Sequence, residues 1–321
     1  MRSLRQNLPL VVTTVIFAII FGAAGLCYDG FFSARVATSL LADNAFLGIA
    51  AVGMTLVIFS GGIDLSVGAV IGFTSIFTAT LIAGRGVPPA LAWALALLIG
   101  TGLGATMGSL IQVFQLPPFL VTLAGMFFAR GMAFRLNTES VGIAHPLYER
   151  LSNFELALGD KVHVPAAALL FLAVVAAGYL VAHHMRFGRT LFAIGGNEQS
   201  SLLMGLPVGT AKIAVYSLNG FLAALAGVVA TLYTGSGNPV MGVGLELDAI
   251  AVVVIGGTLL SGGRGHVLGT LLGVLIFGTI QSAILFDGRL SSWWMRIMVG
   301  ALLLVFILLQ RFLLRGLTRR S

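Results

Sequence analysis

Long uncharged stretches, each close to the length of a membrane-spanning helix, recur along the whole chain. A helix rises about 1.5 Å per residue, so a hydrocarbon core of about 30 Å requires roughly 20 apolar residues. The eighth stretch is shorter than this, so it is either a steep span or a half-membrane segment buried among its neighbours. In chain order, the ten predicted spans are Leu8–Leu26, Asn44–Ile63, Leu65–Gly84, 90–114, 118–134, Val164–Ala182, Ile213–Tyr233, Ala249–Gly263, Val267–Phe286 and 292–310.

The composition supports the same interpretation and excludes several other classes of protein. Hydrophobic residues make up 58% of the 321 residues and charged residues only 9%, whereas a soluble domain carries roughly 25% charged residues. We therefore predict an all-α, polytopic integral membrane protein with a single transmembrane domain over residues 1–321. The net charge of +7 is scattered at the ends of apolar runs, which argues against a nucleic-acid binder. Cys27 is the only cysteine, so an internal disulfide is excluded.

The basic residues predict the orientation of the chain in the membrane. If the N-terminus is cytoplasmic, the predicted inner segments hold most of the arginine and lysine residues, and the outer segments hold most of the acids. Cytoplasmic loops show this charge bias, so ten spans place both termini in the cytoplasm. A cleaved signal peptide is the alternative for Leu8–Leu26, but this apolar run is longer than a usual signal sequence. The longest inner segment, residues 183–212, is called the coupling segment here and is where a soluble partner could dock.

Few ionisable residues lie within the predicted spans or at their ends, and three acids among them are candidates for a translocation pathway or a gate. Asp64 lies within the sequence Ser60–Gly68, and an ionised side chain at such a position faces a cavity or polar partners rather than lipid. Asp64 and Ser66 also fit a helix cap before the third span, and the sequence leaves both roles open. Glu246 and Asp248 begin the short eighth segment on its outer side, where they either complement the helix dipole or contact a polar solute.

Two glycine patterns carry structural predictions. Gly100, Gly104 and Gly108 form a small-residue stripe on one span, which predicts close packing against another helix. The segments 61–68 and 256–263 match at five of eight positions and lie at the same predicted depth, a pattern typical of a parallel internal repeat. The chain lacks a phosphate-binding loop, a nucleophile–base set and histidines at metal-ligand spacing, so neither ATP binding, catalysis, a cofactor nor a metal is predicted.

The coupling segment and the sequence Gly61–Gly68 together resemble the permease subunits of ribose/galactose-type sugar ABC importers. The resemblance extends over essentially the whole chain and includes Asp43–Gly48, Thr122–Phe128 and Glu246–Ala251. It implies a bacterial inner-membrane protein, surrounded by membrane lipid, that forms half of a translocation pore. It further implies three protein partners: a second, homologous permease subunit, an ATP-binding cassette subunit on the cytoplasmic side and a periplasmic sugar-binding protein.

The resemblance also implies roles for residues and a class of cargo. In the coupling segment, the residues expected at the ATPase contact are Arg189, Gly195, Gly196, Asn197, Met204 and Gly205. The candidates for the translocation pathway or gate are Asn44, Asp64, Ser66, Glu246 and Asp248. The expected cargo is galactofuranose, with another monosaccharide such as ribose or galactose as the alternative. A secondary transporter is the rival from another class, but acids or histidines that could relay protons at mid-span are nearly absent.

Overall fold

The computed structural model describes residues 8–157, 162–289, 291 and 293–318, and the terminal residues of the predicted domain lie outside these ranges. The described chain is mostly helical, as predicted. Helices α1 to α7 are Leu8–Cys27, Ala34–Asp43, Ala45–Phe59, Val67–Ala79, Pro89–Val113, Pro118–Leu136 and Pro146–Ser152. Helices α8 to α14 are Ala166–His183, Arg186–Gly196, Glu198–Leu203, Val208–Thr234, Leu245–Ile255, Val267–Asp287 and Trp293–Thr318. A π-helical turn, Thr80–Gly84, extends α4.

Short strands form two small antiparallel ladders at one end of the helices. β1 (Val141–Gly142) pairs with β4 (Ser236–Gly237), and β2 (Glu155–Ala157) pairs with β3 (His163–Pro165). β4 directly follows α11, whose other end adjoins the coupling segment. In the same way β3 directly precedes α8, whose far end begins the coupling segment. Both ladders therefore lie at the opposite end of the molecule from the coupling segment.

Each of the ten predicted spans corresponds to a helix, but fewer of the helices are long enough to cross a membrane. Seven of the described helices have the length and composition of a span, and the pair α2 and α3, bent by 57°, makes an eighth. The expected number of about ten exceeds this count, because α12 has only 11 residues and the described apolar part of α14, Trp293–Phe306, is also short. After α12 the apolar sequence continues into turns, which hydropathy alone does not separate from helix.

The centre of the fold is α11, which packs against α3, α4 and α5. The close approach of α5 and α11 depends on the predicted glycine stripe. A Cβ atom built on Gly104 would lie 2.2 Å from the Tyr216 carbonyl oxygen, and one on Gly220 would lie 2.2 Å from the Gly100 carbonyl oxygen. A Cβ atom on Gly108 would also contact the α11 backbone. The close packing predicted from the stripe is therefore confirmed.

Two connections between helices enter the body of the protein and meet there. Residues 60–66 join α3 to α4, and residues 256–266 join α12 to α13. A Cβ atom built on Gly262 would lie only 2.7 Å from the Gly61 nitrogen, so the two connections touch backbone to backbone. The two segments that share a sequence motif are therefore in direct contact.

Candidate translocation and coupling sites

Asp64 is fully buried in the connection between α3 and α4, and its carboxylate accepts hydrogen bonds from two residues. Oδ1 accepts from the Ser66 backbone N–H at 2.8 Å and from the Ser66 hydroxyl at 2.6 Å. Oδ2 accepts from the amide nitrogen of Asn219, on α11, at 2.7 Å. The carboxylate thus closes an Asx turn before α4 and ties the start of that helix to α11. The predicted cap is not observed, because Ser66 is the N-cap residue of α4 and its side chain makes no capping hydrogen bond. A role for the Asp64 charge in a gate stays a prediction.

Two polar residues of α11, Asn219 and Tyr216, lie beside Asp64, and the sequence analysis did not select them. The Asn219 Oδ1 atom and the Tyr216 hydroxyl are buried and have no hydrogen-bond partner among the described residues. Glycine makes room for each group: a Cβ atom on Gly53 would lie 2.3 Å from Asn219 Oδ1, and one on Gly62 would lie 2.3 Å from the Tyr216 hydroxyl. The signal that could have found Asn219 is its position inside an apolar span, where a polar side chain needs a partner.

After α11 ends, residues 235–244 turn back into the body of the protein, and we call them the re-entrant segment. A Cβ atom on Gly68, near the start of α4, would lie 2.2 Å from both the Gly242 carbonyl oxygen and Glu246 Oε2. The end of the π-helical turn at Gly84 is about 24 Å from Gly68 along the helix axis. Glu246 therefore lies deep in the protein rather than on the outer side, because the turns of residues 239–244 lead the chain inward before the half-length helix α12.

Charged side chains surround the re-entrant segment. The Arg130 guanidinium, on α6, donates to two of its carbonyl oxygens. Glu246 and Asp248 are half-buried on the first turn of α12. Arg130 is close enough to Glu246, and Arg296 to Asp248, for each pair to attract electrostatically. The structure thus places both predicted acids in one polar group with two arginines that the sequence analysis did not select.

Asn44 lies apart from both groups, at the bend between α2 and α3. Its amide nitrogen donates to the Leu40 carbonyl oxygen at 3.0 Å. A Cβ atom on Gly278, on α13, would lie 2.5 Å from the same nitrogen, so the side chain is enclosed. The observed contacts hold the bend, and a pathway role for Asn44 stays a prediction. The predicted pathway residues therefore fall into two groups and one isolated residue.

The coupling segment folds into the short helices α9 and α10. Asn197 lies between them, and its Oδ1 atom accepts a backbone N–H of α10 at 2.8 Å, which caps that helix. Glu198, on the first turn of α10, forms a salt bridge with Lys212 of α11. The Arg189 side chain is exposed on α9. These contacts hold the segment in a fixed position against the membrane-spanning helices.

α10 ends in an exposed apolar tip, which we define as residues Leu202–Gly205. Leu203 is 90% exposed and Met204 is 67% exposed. An exposed apolar patch with polar surroundings marks a contact surface, so the tip is a candidate docking site. Gly196 is exposed beside it, whereas Gly195 packs inward against the end of α3.

Comparison with known proteins identifies related transport proteins. The chain matches the family model described as "Branched-chain amino acid transport system / permease component" over residues 36–307. The inner membrane ABC transporter permease protein YjfF of Escherichia coli (strain K12) is 51% identical over 308 residues, which cover 96% of this chain and 93% of YjfF. The fructose import permease protein FruG of Bifidobacterium longum (strain NCC 2705) is 39% identical over 313 residues, covering 96% of this chain and 92% of FruG.

A third relative extends the same pattern. The ribose import permease protein RbsC of Bacillus subtilis (strain 168) is 38% identical over 276 residues, which cover 85% of this chain and 84% of RbsC. No solved structure is significantly similar to the chain. The family match spans most of the sequence, and the three relatives agree with it almost end to end. The chain therefore belongs to the family of ABC transporter permease components, which are multi-pass inner-membrane transport subunits rather than enzymes.

Proposed function

We propose that the chain forms half of the translocation pore of an ATP-driven sugar importer in a bacterial inner membrane. The observation that carries this proposal is the similarity to permeases named for fructose and ribose import, over 96% and 85% of the chain. The description of the family model names branched-chain amino acid transport, so the assignment of a sugar as cargo depends on these individual relatives. Among sugars we favour galactofuranose, on the sequence resemblance at Asp43–Gly48 and Thr122–Phe128, with ribose or galactose as the alternative.

The re-entrant segment supports a position for the pore. Non-helical backbone at membrane depth has N–H and C=O groups that lipid does not satisfy, so it faces protein or a water-filled cavity. Val240, Val243 and Leu247 are exposed along this segment and the start of α12, beside Glu246 and Asp248. A surface that combines exposed irregular backbone with carboxylates is unsuited to lipid. We therefore assign this face to the pore, where the carboxylates would accept hydrogen bonds from sugar hydroxyl groups.

The partners belong to the same proposal. A second, homologous permease subunit completes the pore, and an ATP-binding cassette subunit docks on the apolar tip, with Arg189 and Asn197 nearby. A periplasmic sugar-binding protein delivers the sugar at the end of the molecule that carries β1 and β4. The exposed leucine and methionine side chains of the tip support the docking role.

Both termini are proposed to be cytoplasmic, which puts the coupling segment in the cytoplasm as well. The excess of basic residues in the inner segments supports this orientation. A reporter protein fused after Arg189 should be active in the cytoplasm, and one fused after Glu149 should be active in the periplasm. The reverse pattern would contradict both the orientation and the docking role of the tip.

Uptake by living cells tests the cargo and the energy source together. A strain that lacks this chain should lose uptake of labelled galactofuranose and should regain it when the chain is supplied from a plasmid. Excess unlabelled galactofuranose should compete better than ribose or galactose, and stronger competition by ribose would show that the cargo is wrong. Uptake that persists after ATP depletion, with the proton gradient maintained, would favour a secondary transporter.

A further inference from the structure

Three separate segments of backbone meet at glycine residues beside the coupling segment. A Cβ atom on Gly195, at the end of α9, would lie 2.1 Å from the Phe59 carbonyl oxygen and 2.4 Å from the Gly263 nitrogen. A Cβ atom on Gly262 would lie 2.7 Å from the Gly61 nitrogen and 3.0 Å from the Gly195 Cα atom. We call this contact, formed by the four glycines, the glycine junction. It joins α9 to the end of α3 and to the connection between α12 and α13.

A hydrogen bond and an aromatic contact also hold the glycine junction together. The Gly263 N–H donates to the Phe59 carbonyl oxygen at 3.0 Å. The Phe59 ring also packs against the Phe192 ring of α9, with 4.3 Å between the ring centroids. Closely packed protein transmits a displacement rather than absorbing it. A movement of α9 must therefore carry the other two segments with it or break the contact.

A short path of contacts leads from the glycine junction to the re-entrant segment. The chain continues from Gly61 to Asp64, whose carboxylate holds Ser66 at the start of α4. Two residues further on, the backbone at Gly68 lies against the Gly242 carbonyl group and the first turn of α12. The coupling segment is therefore connected to the proposed pore face through backbone contacts and one buried carboxylate.

We propose that the glycine junction transmits movement of the coupling segment to the pore, with Gly195 as its central positioning residue. This inference rests on the proposed function and divides the coupling segment into two parts. The apolar tip binds the ATPase, and the Gly195 end of α9 passes the movement of the ATPase to the membrane helices. The nearest atoms to a Cβ atom at Gly195 are all backbone atoms, so a side chain there would force the segments apart.

The test compares Gly195→Ala with Gly22→Ala, a substitution on α1 where a Cβ atom would meet nothing within 4 Å. Each variant is reconstituted in liposomes with its partner subunits and assayed for bound ATPase, ATP hydrolysis and uptake of labelled sugar. For Gly195→Ala we expect the ATPase to stay bound, while uptake per ATP hydrolysed falls by about 2- to 30-fold. Gly22→Ala should keep the wild-type uptake per ATP hydrolysed.

Phe192→Ala provides a second test that introduces no steric overlap, in case Gly195→Ala does not assemble. It removes the ring contact with Phe59 and should lower uptake per ATP in the same direction. The proposal is overturned if the assembled variants keep the wild-type ratio, or if uptake is lost only because the ATPase no longer binds. Uptake by the wild type reports on the proposed function, whereas the ratio of variant to wild type reports on the junction, so the two failures are distinguishable.

Discussion

Asn219→Asp should destabilise the permease, because it puts a second carboxyl group beside the buried Asp64 carboxylate. The wild-type amide donates to Asp64 Oδ2 at 2.7 Å, and both side chains are fully buried. The double variant Asp64→Asn/Asn219→Asp restores one amide and one carboxylate. The amide oxygen placed at position 64 can still accept from Ser66, so we expect the double variant to recover most of the lost stability.

The loss of stability depends on whether both carboxyl groups stay ionised or one of them takes up a proton. Two unit charges 2.7 Å apart repel by about 6 kcal/mol at an effective dielectric constant near 20. Holding a proton on one carboxyl group at pH 7, about three pH units above the ordinary pKa of aspartic acid, costs about 4 kcal/mol. Protonation is the lower-energy route, and the new O–H can then donate to Asp64. The free energy of unfolding should therefore fall by about 4 kcal/mol at pH 7, and by about 1.4 kcal/mol less for each pH unit toward acid.

Denaturant unfolding of the purified permease in detergent, followed by helical circular dichroism from pH 5 to 8, measures this effect. The single and double variants form a mutant cycle with an expected interaction energy of about 3 kcal/mol. Asn44→Asp is the matched control, since Asn44 is another buried asparagine whose amide donates, to the Leu40 carbonyl oxygen at 3.0 Å. Adding Asp64→Asn to the Asn44→Asp variant should not restore its stability. Wild-type stability of Asn219→Asp, or no recovery in the double variant, would refute the reasoning.

Three other expected outcomes concern helix packing, docking and pH. Gly104→Ala should lower the free energy of unfolding by about 1–3 kcal/mol, because its Cβ atom would meet the α11 backbone. The control Gly102→Ala, whose Cβ atom would meet nothing within 4 Å, should leave the stability unchanged. Equal stability of the two variants would contradict the packing account. Leu203→Asp should abolish co-purification of the ATPase subunit while changing the stability of the permease by less than about 0.5 kcal/mol; unchanged co-purification would exclude the tip as the docking site. His266 accepts the Leu268 N–H at 3.1 Å, and burial lowers its pKa. Its contribution to stability is therefore complete above about pH 6.5 and is lost as the pH falls through the lowered pKa. His266→Asn, which can still cap α13, should reduce the acid slope of stability that His266 shares with the neighbouring His183, and an unchanged slope would contradict the assignment.

Hydropathy predicted the positions of the membrane helices well, because an apolar surface long enough to span lipid is a property of local sequence. It overestimated their number where the apolar sequence leaves the helix, as it does after Ile255 at the end of α12. It also missed the depth of Glu246, since an irregular segment of turns that re-enters the protein has no periodic signal of its own. Helix α2 was missed because its mixed composition lacks a span-length apolar run.

The candidate site was predictable only where its residues are close in sequence. Asp64 and Ser66 were selected as a pair because their spacing fits a cap. Asn219 was missed because it is 155 residues from Asp64 and only the packing of α11 brings the two together. The sequence could assign Gly195 to the coupling segment, but not to the interior of the fold, because its neighbours come from two other connections.

Uptake of labelled galactofuranose into proteoliposomes tests the central claim, that this chain is half of an ATP-driven sugar pore, most directly. The liposomes contain the chain with a second permease and the ATP-binding cassette subunit, and the sugar-binding protein is supplied on the opposite face from the ATP. Our account predicts accumulation that requires hydrolysable ATP and is lost when the chain is omitted. Failure to accumulate any sugar with ATP, or equal accumulation driven by a proton gradient alone, would contradict it.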